Sequence, residues 1–228
     1  VTVAHPSIEE SLENAEARVA AGEGLGGTGF WPAVSEVKAS PELVERFADR
    51  IAAIDRAAHS DWALITVPLW LGTTIMIAGL LGGLALIGWA YYLDDLAAIL
   101  VFGLGVLALL GTTHGLAHLA VGWGFGMRFS SWFIGKVSQP QPGVKIDYST
   151  YLRTSPRKRA WMHASGAIAT KLVPFVLVPA AIAADLPTWV TWVLLAAGVG
   201  QIITDISWST RSSDWKKFRR EMGFAQES

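Results

Sequence analysis

The sequence predicts an all-α polytopic membrane protein, with four transmembrane helices and a short β-hairpin-like cytoplasmic linker, and three observations carry that prediction. The chain is too apolar for an ordinary soluble domain of 228 residues: 52% are hydrophobic, 16% are charged, and mean hydropathy is +0.39. The apolar residues gather into four runs, 62–93, 96–127, 160–184 and 187–208. At about 1.5 Å per residue each run crosses a hydrocarbon core of about 30 Å. Basic residues, finally, fall on alternate connections only.

Residues 1–61 form a polar lead-in, expected to be helical and cytoplasmic. SIEESLENAEARVAA starts with Ser7 as a cap and Glu10 at the capping-box position, and its early acids suit the positive end of a helix. GEGLGGTG (22–29) breaks the chain; without a lysine or a Walker spacing it is no phosphate loop. SPELVERFADRIAAIDRAAHSDW (40–62) has proline in its first turn and an amphipathic pattern, and is expected to lie on the membrane surface or dock on the linker. No apolar core behind basic residues opens the sequence, so insertion is expected to rely on the spans themselves.

The linker 128–159 carries Arg128, Lys136, Lys145, Arg153, Arg157, Lys158 and Arg159 against the single acid Asp147. The tail 209–228 adds Arg211, Lys216, Lys217, Arg219 and Arg220, whereas the turns at 94–95 and 185 hold Asp94, Asp95 and Asp185 with no base. The positive-inside rule then places both termini and the linker in the cytoplasm, with the protein in the cell inner (plasma) membrane. The basic tail suits anionic lipid headgroups and not nucleic acid. Many of the eleven tryptophans sit near span ends as interfacial anchors, and glycines in the second span permit close helix approach. There are no cysteines, which removes disulfides and thiolate metal sites.

The chemistry lies in the few polar residues of the spans. GTTHGLAHLA (111–120) places His114 and His118 one helical turn apart, on one face, near the cytoplasmic end of the second span. His163 falls one turn into the third span and Asp205 one turn from the end of the fourth. Four potential ligands from three helices therefore share one level, and ionisable groups within spans usually face a bundle interior or a partner. Two imidazoles and a carboxylate are a normal zinc set. His163 is either a fourth ligand that closes the shell or a base or electrophile beside a bound water. Lys171, deeper in the third span, calls for a carboxylate, a headgroup, internal water or a carbonyl freed by Pro174 or Pro179.

HGLAH, the linker with GMRFSSWFIG and PGVKIDYSTYLRTSPRKRAWMHASG, and ITDIS together resemble the intramembrane zinc metalloproteases of the site-2 protease type, over about residues 96–208. The resemblance implies His114 and His118 as paired zinc ligands and Asp205 as the third. The glutamate that follows the first histidine in that family, its general base, is here Gly115, and the Asn and Pro run before the aspartate is absent. Such proton transfer commonly supplies factors of ~100 to 10,000, so peptide hydrolysis is expected to be impaired or lost. The stretch 144–152 alternates like a hairpin strand, and in the family such an edge holds an extended substrate; Val144, Ile146 and Tyr148 are then expected to hold a substrate or a partner chain.

The expected function is that of a membrane metal-binding protein acting as an accessory or adaptor subunit of a membrane complex. Two alternatives stand beside it: a zinc hydrolase using His163 in place of the missing glutamate, and a haem- or pigment-binding subunit in which histidines on adjacent spans ligate a tetrapyrrole. A transporter relying on Lys171 and Asp205 is a further class, with no clear repeat to support it.

Overall fold

The computed structural model describes residues 6–136, 142–207 and 213–227. Its elements in chain order are α1 (Ile8–Ala20), α2 (Phe30–Lys38), α3 (Pro41–Trp62), β1 (Ile65–Pro68), α4 (Leu69–Ala90), α5 (Asp95–Gly124), β2 (Phe129–Ile134), β3 (Pro142–Ile146), α6 (Tyr148–Arg153), α7 (Pro156–Ala183), α8 (Thr188–Ser207) and α9 (Asp214–Glu227). They divide into two compact units. One comprises 1–69, 122–159 and 222–228, the other 70–121 and 160–221.

The first unit is built on local signals that its sequence spells out. Ser7 and Glu10 form a reciprocal capping box at the start of α1. Gly29 caps α2 at a φ of 79°, and a Cβ there would lie 2.8 Å from Ser11 Oγ, so only glycine fits. Ser40 caps α3, whose Pro41 occupies the first turn where its missing N–H costs nothing. α3 buries Val44, Phe47, Ala48, Ile51 and Ile54, a helical stripe, and presents Arg50 to both carboxylate oxygens of Glu16 on α1 at 2.8 Å. On α3 too, Asp49 receives Arg153 at 2.9 and 3.0 Å and Ser149 at 2.5 Å from α6; these bonds hold its carboxyl down at about 2.

The strands form one antiparallel sheet in the order β1-β2-β3, with Val67 opposite Trp132 and Trp132 opposite Val144. Two expectations change here. The apolar run 62–93 is not one span; its span is α4, and 65–68 are a β strand, because the β-branched ITV segment pairs with β2 and Pro68 ends the pairing. The stretch 144–152 is not strand throughout. Asp147 accepts a bond from the Thr150 N–H at 3.3 Å and so caps α6, which turns Tyr148 out of the sheet and into the first position of a helix.

The second unit contains the hydrophobic helices. Among the described residues four helices, α4, α5, α7 and α8, are long and apolar enough to cross a membrane. The chain is a multi-pass membrane protein of all-α class carrying a small antiparallel sheet. Ile87, Phe102, Leu109, Leu177, Val190 and Leu194 are buried among these helices, while Trp70, Leu81, Leu107, Val176 and Trp192 point outward as a lipid-facing surface requires. α4 and α5 meet backbone to backbone: a Cβ on Gly105 would lie 2.9 Å from the Gly83 carbonyl oxygen. Asp95 and Asp185 take the left-handed conformation in the tight turns, φ 47° and 51°, which a short polar side chain tolerates.

Candidate metal centre

α5 brings His114 and His118 together because residues four apart share a helix face. Their Nε2 atoms are 3.1 Å apart and their rings meet edge to face at 4.6 Å. The third group comes from α9: Asp214 Oδ2 lies 3.1 Å from His114 Nε2 and 3.2 Å from His118 Nε2. For zinc bonds of about 2.0–2.1 Å, neighbouring ligands in a tetrahedron lie roughly 3.3 Å apart. The triangle of two nitrogens and an oxygen thus has the size of one face of such a shell.

The remaining hydrogen bonds fix which atoms face the centre. His118 Nδ1 is 2.7 Å from the Met162 carbonyl, which can only accept, so Nδ1 donates. Thr170 donates its hydroxyl to the Gly166 carbonyl at 2.9 Å, which leaves its oxygen to accept from His114 Nδ1 at 3.1 Å. With each Nδ1 committed as a donor, Nε2 is the atom that each ring turns toward Asp214 Oδ2, there to carry a proton for the carboxylate or to offer its lone pair to a metal ion. Two ring nitrogens and a carboxylate oxygen in mutual contact are held together by a proton or by a metal ion between them. Partners on the far ring nitrogen are also the usual support of metal-ligating histidines.

Packing holds the pieces in place. A Cβ on Gly166 would lie 2.4 Å from His118 Nε2, so α7 must carry glycine where the ring lies against it. Phe218 of α9 meets Trp161 of α7 at 5.6 Å and stacks on Trp215 at 5.1 Å, seating the helix that delivers Asp214. Lys217 reaches the other carboxylate oxygen of Asp214 at 3.3 Å. Burial on its own pushes the Asp214 carboxyl up; His114, His118 and the Lys217 ammonium outweigh it and hold the group well below the usual carboxylate range. His118 and Asp214 side chains are 12% and 15% exposed and His114 is 42% exposed, so the cluster is open along His114.

The carboxylate in this cluster differs from the one expected. Asp205 lies instead against Lys171, 2.7 Å from Nζ, with Lys171 also reaching the Ala167 carbonyl at 3.4 Å. The carboxylate that the depth of Lys171 calls for is therefore Asp205. His163 is placed beside the cluster, its ring 6.5 Å from that of His118, and the group whose ligand atoms converge is His114, His118 and Asp214. Val144 and Ile146 lie on β3, one of the two outer strands of the sheet, and Tyr148 opens α6. Asp214 escaped the sequence reading because it stands in a basic tail, where SSD before WKKFRR reads as an ordinary acidic first turn. The signal that was there is its being the first acid after Asp205.

The chain is a membrane protein with a His/His/Asp cluster suited to holding a metal ion. No family model, curated protein or solved structure matches it.

Proposed function

We propose that this protein is an integral membrane zinc protein of the site-2 protease type in which peptide hydrolysis is lost, serving as an accessory or adaptor subunit. The observation that supports it best is the triangle of His114 Nε2, His118 Nε2 and Asp214 Oδ2, with sides of 3.1–3.2 Å and each histidine braced through Nδ1. Zinc suits two imidazoles and a carboxylate and takes four ligands in a tetrahedron. Bound there, it would supply Lewis acidity at an open fourth position. Gly115 offers no carboxylate to take a proton from a water in that position, which is why adaptor comes before protease in this reading.

In the adaptor role β3 receives an extended segment of a membrane protein partner as a fourth strand, Val144 and Ile146 bracketing the contact. The basic linker and tail face the cytoplasm beside anionic headgroups, by the positive-inside rule. A hydrolase is the second reading. It is favoured by the three-ligand set, the number that hydrolytic zinc sites use, and gives His163 the role of acid or base. A tetrapyrrole bound between His118 and His163 on adjacent spans ranks last, since both ring nitrogens of His118 are engaged elsewhere, Nδ1 with the Met162 carbonyl and Nε2 with His114 and Asp214.

The test is elemental analysis of protein purified in mild detergent without chelators, together with its visible spectrum. One zinc per chain, lost in His114→Ala and in Asp214→Ala with helicity unchanged, is the expected result. Protein without stoichiometric metal, or with a Soret band, overturns the proposal.

A further inference from the structure

The unit built from 1–69, 122–159 and 222–228 holds a cavity of about 340 Å³, independent of the metal cluster. That is within the range of small-molecule sites, roughly 300–1,000 Å³. Lys145 and Asp55 on its wall are 2.5 Å apart and only 15% and 10% exposed, so they neutralise each other. Glu23 at the rim is paired with Arg18 at 2.6 Å. Two lining charges are left over, one of each sign. Lys136 has no ion-pair or hydrogen-bond partner among the described residues, and Asp61 accepts only a long 3.4 Å bond from its neighbour Ser60.

His59 adds a third unmet group. Its ring is wedged against Phe133 at 4.6 Å and Trp62 at 5.8 Å, and its Nε2 is buried without a hydrogen-bond partner. Buried polar atoms are nearly always bonded, and an unbonded one on a residue that lines a cavity is the group there with most to gain from a ligand atom. Trp31 and Trp62 line the same space, and indoles are the side chains that attract ammonium groups best. Gly22, Gly24 and Gly26 carry no side chain over the rim.

We propose that this cavity binds a small zwitterion carrying an ammonium and a phosphate group, of the phosphoethanolamine class. The ammonium lies with Asp61 and the indoles, and the phosphate takes Lys136 and, with a turn of the ring, the unbonded Nε2 of His59. Such a ligand meets both unpaired charges at once, which a simple anion or cation does not. It has two sources, a free phospho-amine or the headgroup of a zwitterionic lipid; α4 enters the apolar run at Leu69, soon after Trp62.

The test is isothermal titration calorimetry of the full chain in a non-ionic detergent, with O-phosphoethanolamine as titrant. Saturable binding at one site is expected, weakened about tenfold by Lys136→Gln and by Asp61→Asn and retained in Lys136→Arg. Both positions are exposed, so these variants leave the fold intact. Lysophosphatidylethanolamine that displaces the probe at lower concentration identifies the lipid source, and failure to do so identifies the free molecule; either supports the site. No saturable heat, or inorganic phosphate binding as tightly as the probe and indifferent to Asp61→Asn, overturns it.

Discussion

Two carboxylates of the membrane unit, Asp205 and Asp214, stand nine positions apart in sequence and meet opposite partners. Asp205 has a built-in cation: Lys171 Nζ is 2.7 Å away, and the pair is electrically complete. Asp214 turns one oxygen to Lys217 and the other to the Nε2 atoms of two imidazoles. The first arrangement satisfies itself, and the second is satisfied only by a proton or a metal ion. Charge accounting around each oxygen, more than depth in the membrane, separates a structural ion pair from a ligand set.

The comparison breaks most sharply on metal content. Asp214→Ala is expected to lose bound zinc entirely, and Asp205→Ala to keep it, both read by elemental analysis of the purified variants. The reverse result would return Asp205 to the ligand set. Stability should answer the other way: Asp205→Leu strands Lys171, a partner only 22% exposed, and is expected to destabilise the fold, with Asp205→Leu/Lys171→Met recovering most of the loss. Thermal unfolding in detergent measures both, and a double variant no better than the single one removes the ion-pair account.

A smaller effect sharpens the metal side. Gly166→Ala puts a methyl group 2.4 Å from His118 Nε2 and is expected to weaken zinc binding about 10- to 100-fold, as loss of ligand support commonly does. Gly200→Ala, in open space, leaves it unchanged. Competition with a chromogenic chelator ranks the two.

A pH-dependent effect lies in the other unit, where burial and then the nearby Lys145 charge push His59 down to about 4 from an ordinary 6.5. The unfolded chain takes up that proton first on acidification. Stability is therefore full above 6.5, falls as pH drops from 6.5 toward 4, and levels off below. Denaturation across that window, with a shallower slope in His59→Gln, checks it.

Much of this was legible in the sequence, for a definable reason. The four spans, the capping box at Ser7, the Ser40–Pro41 helix start and the shared face of His114 and His118 all depend on residues within a turn or two of one another. Hydropathy and helical period report such local facts directly. The same logic failed at 62–68 and 144–152, where short apolar or alternating runs suit more than one structure and pairing with β2 and the Asp147 cap decided between them.

By itself, then, the sequence determined the class of the protein, the number of its spans and the presence of a histidine pair in one of them. Tertiary structure decided which carboxylate joins that pair. His118 and Asp214 are 96 residues apart, and their meeting depends on α9 seating Phe218 against Trp161 and on Gly166 making room for the ring. No periodicity encodes that, because a ligand set is a coincidence of distant side chains in space, fixed by packing and not by spacing along the chain.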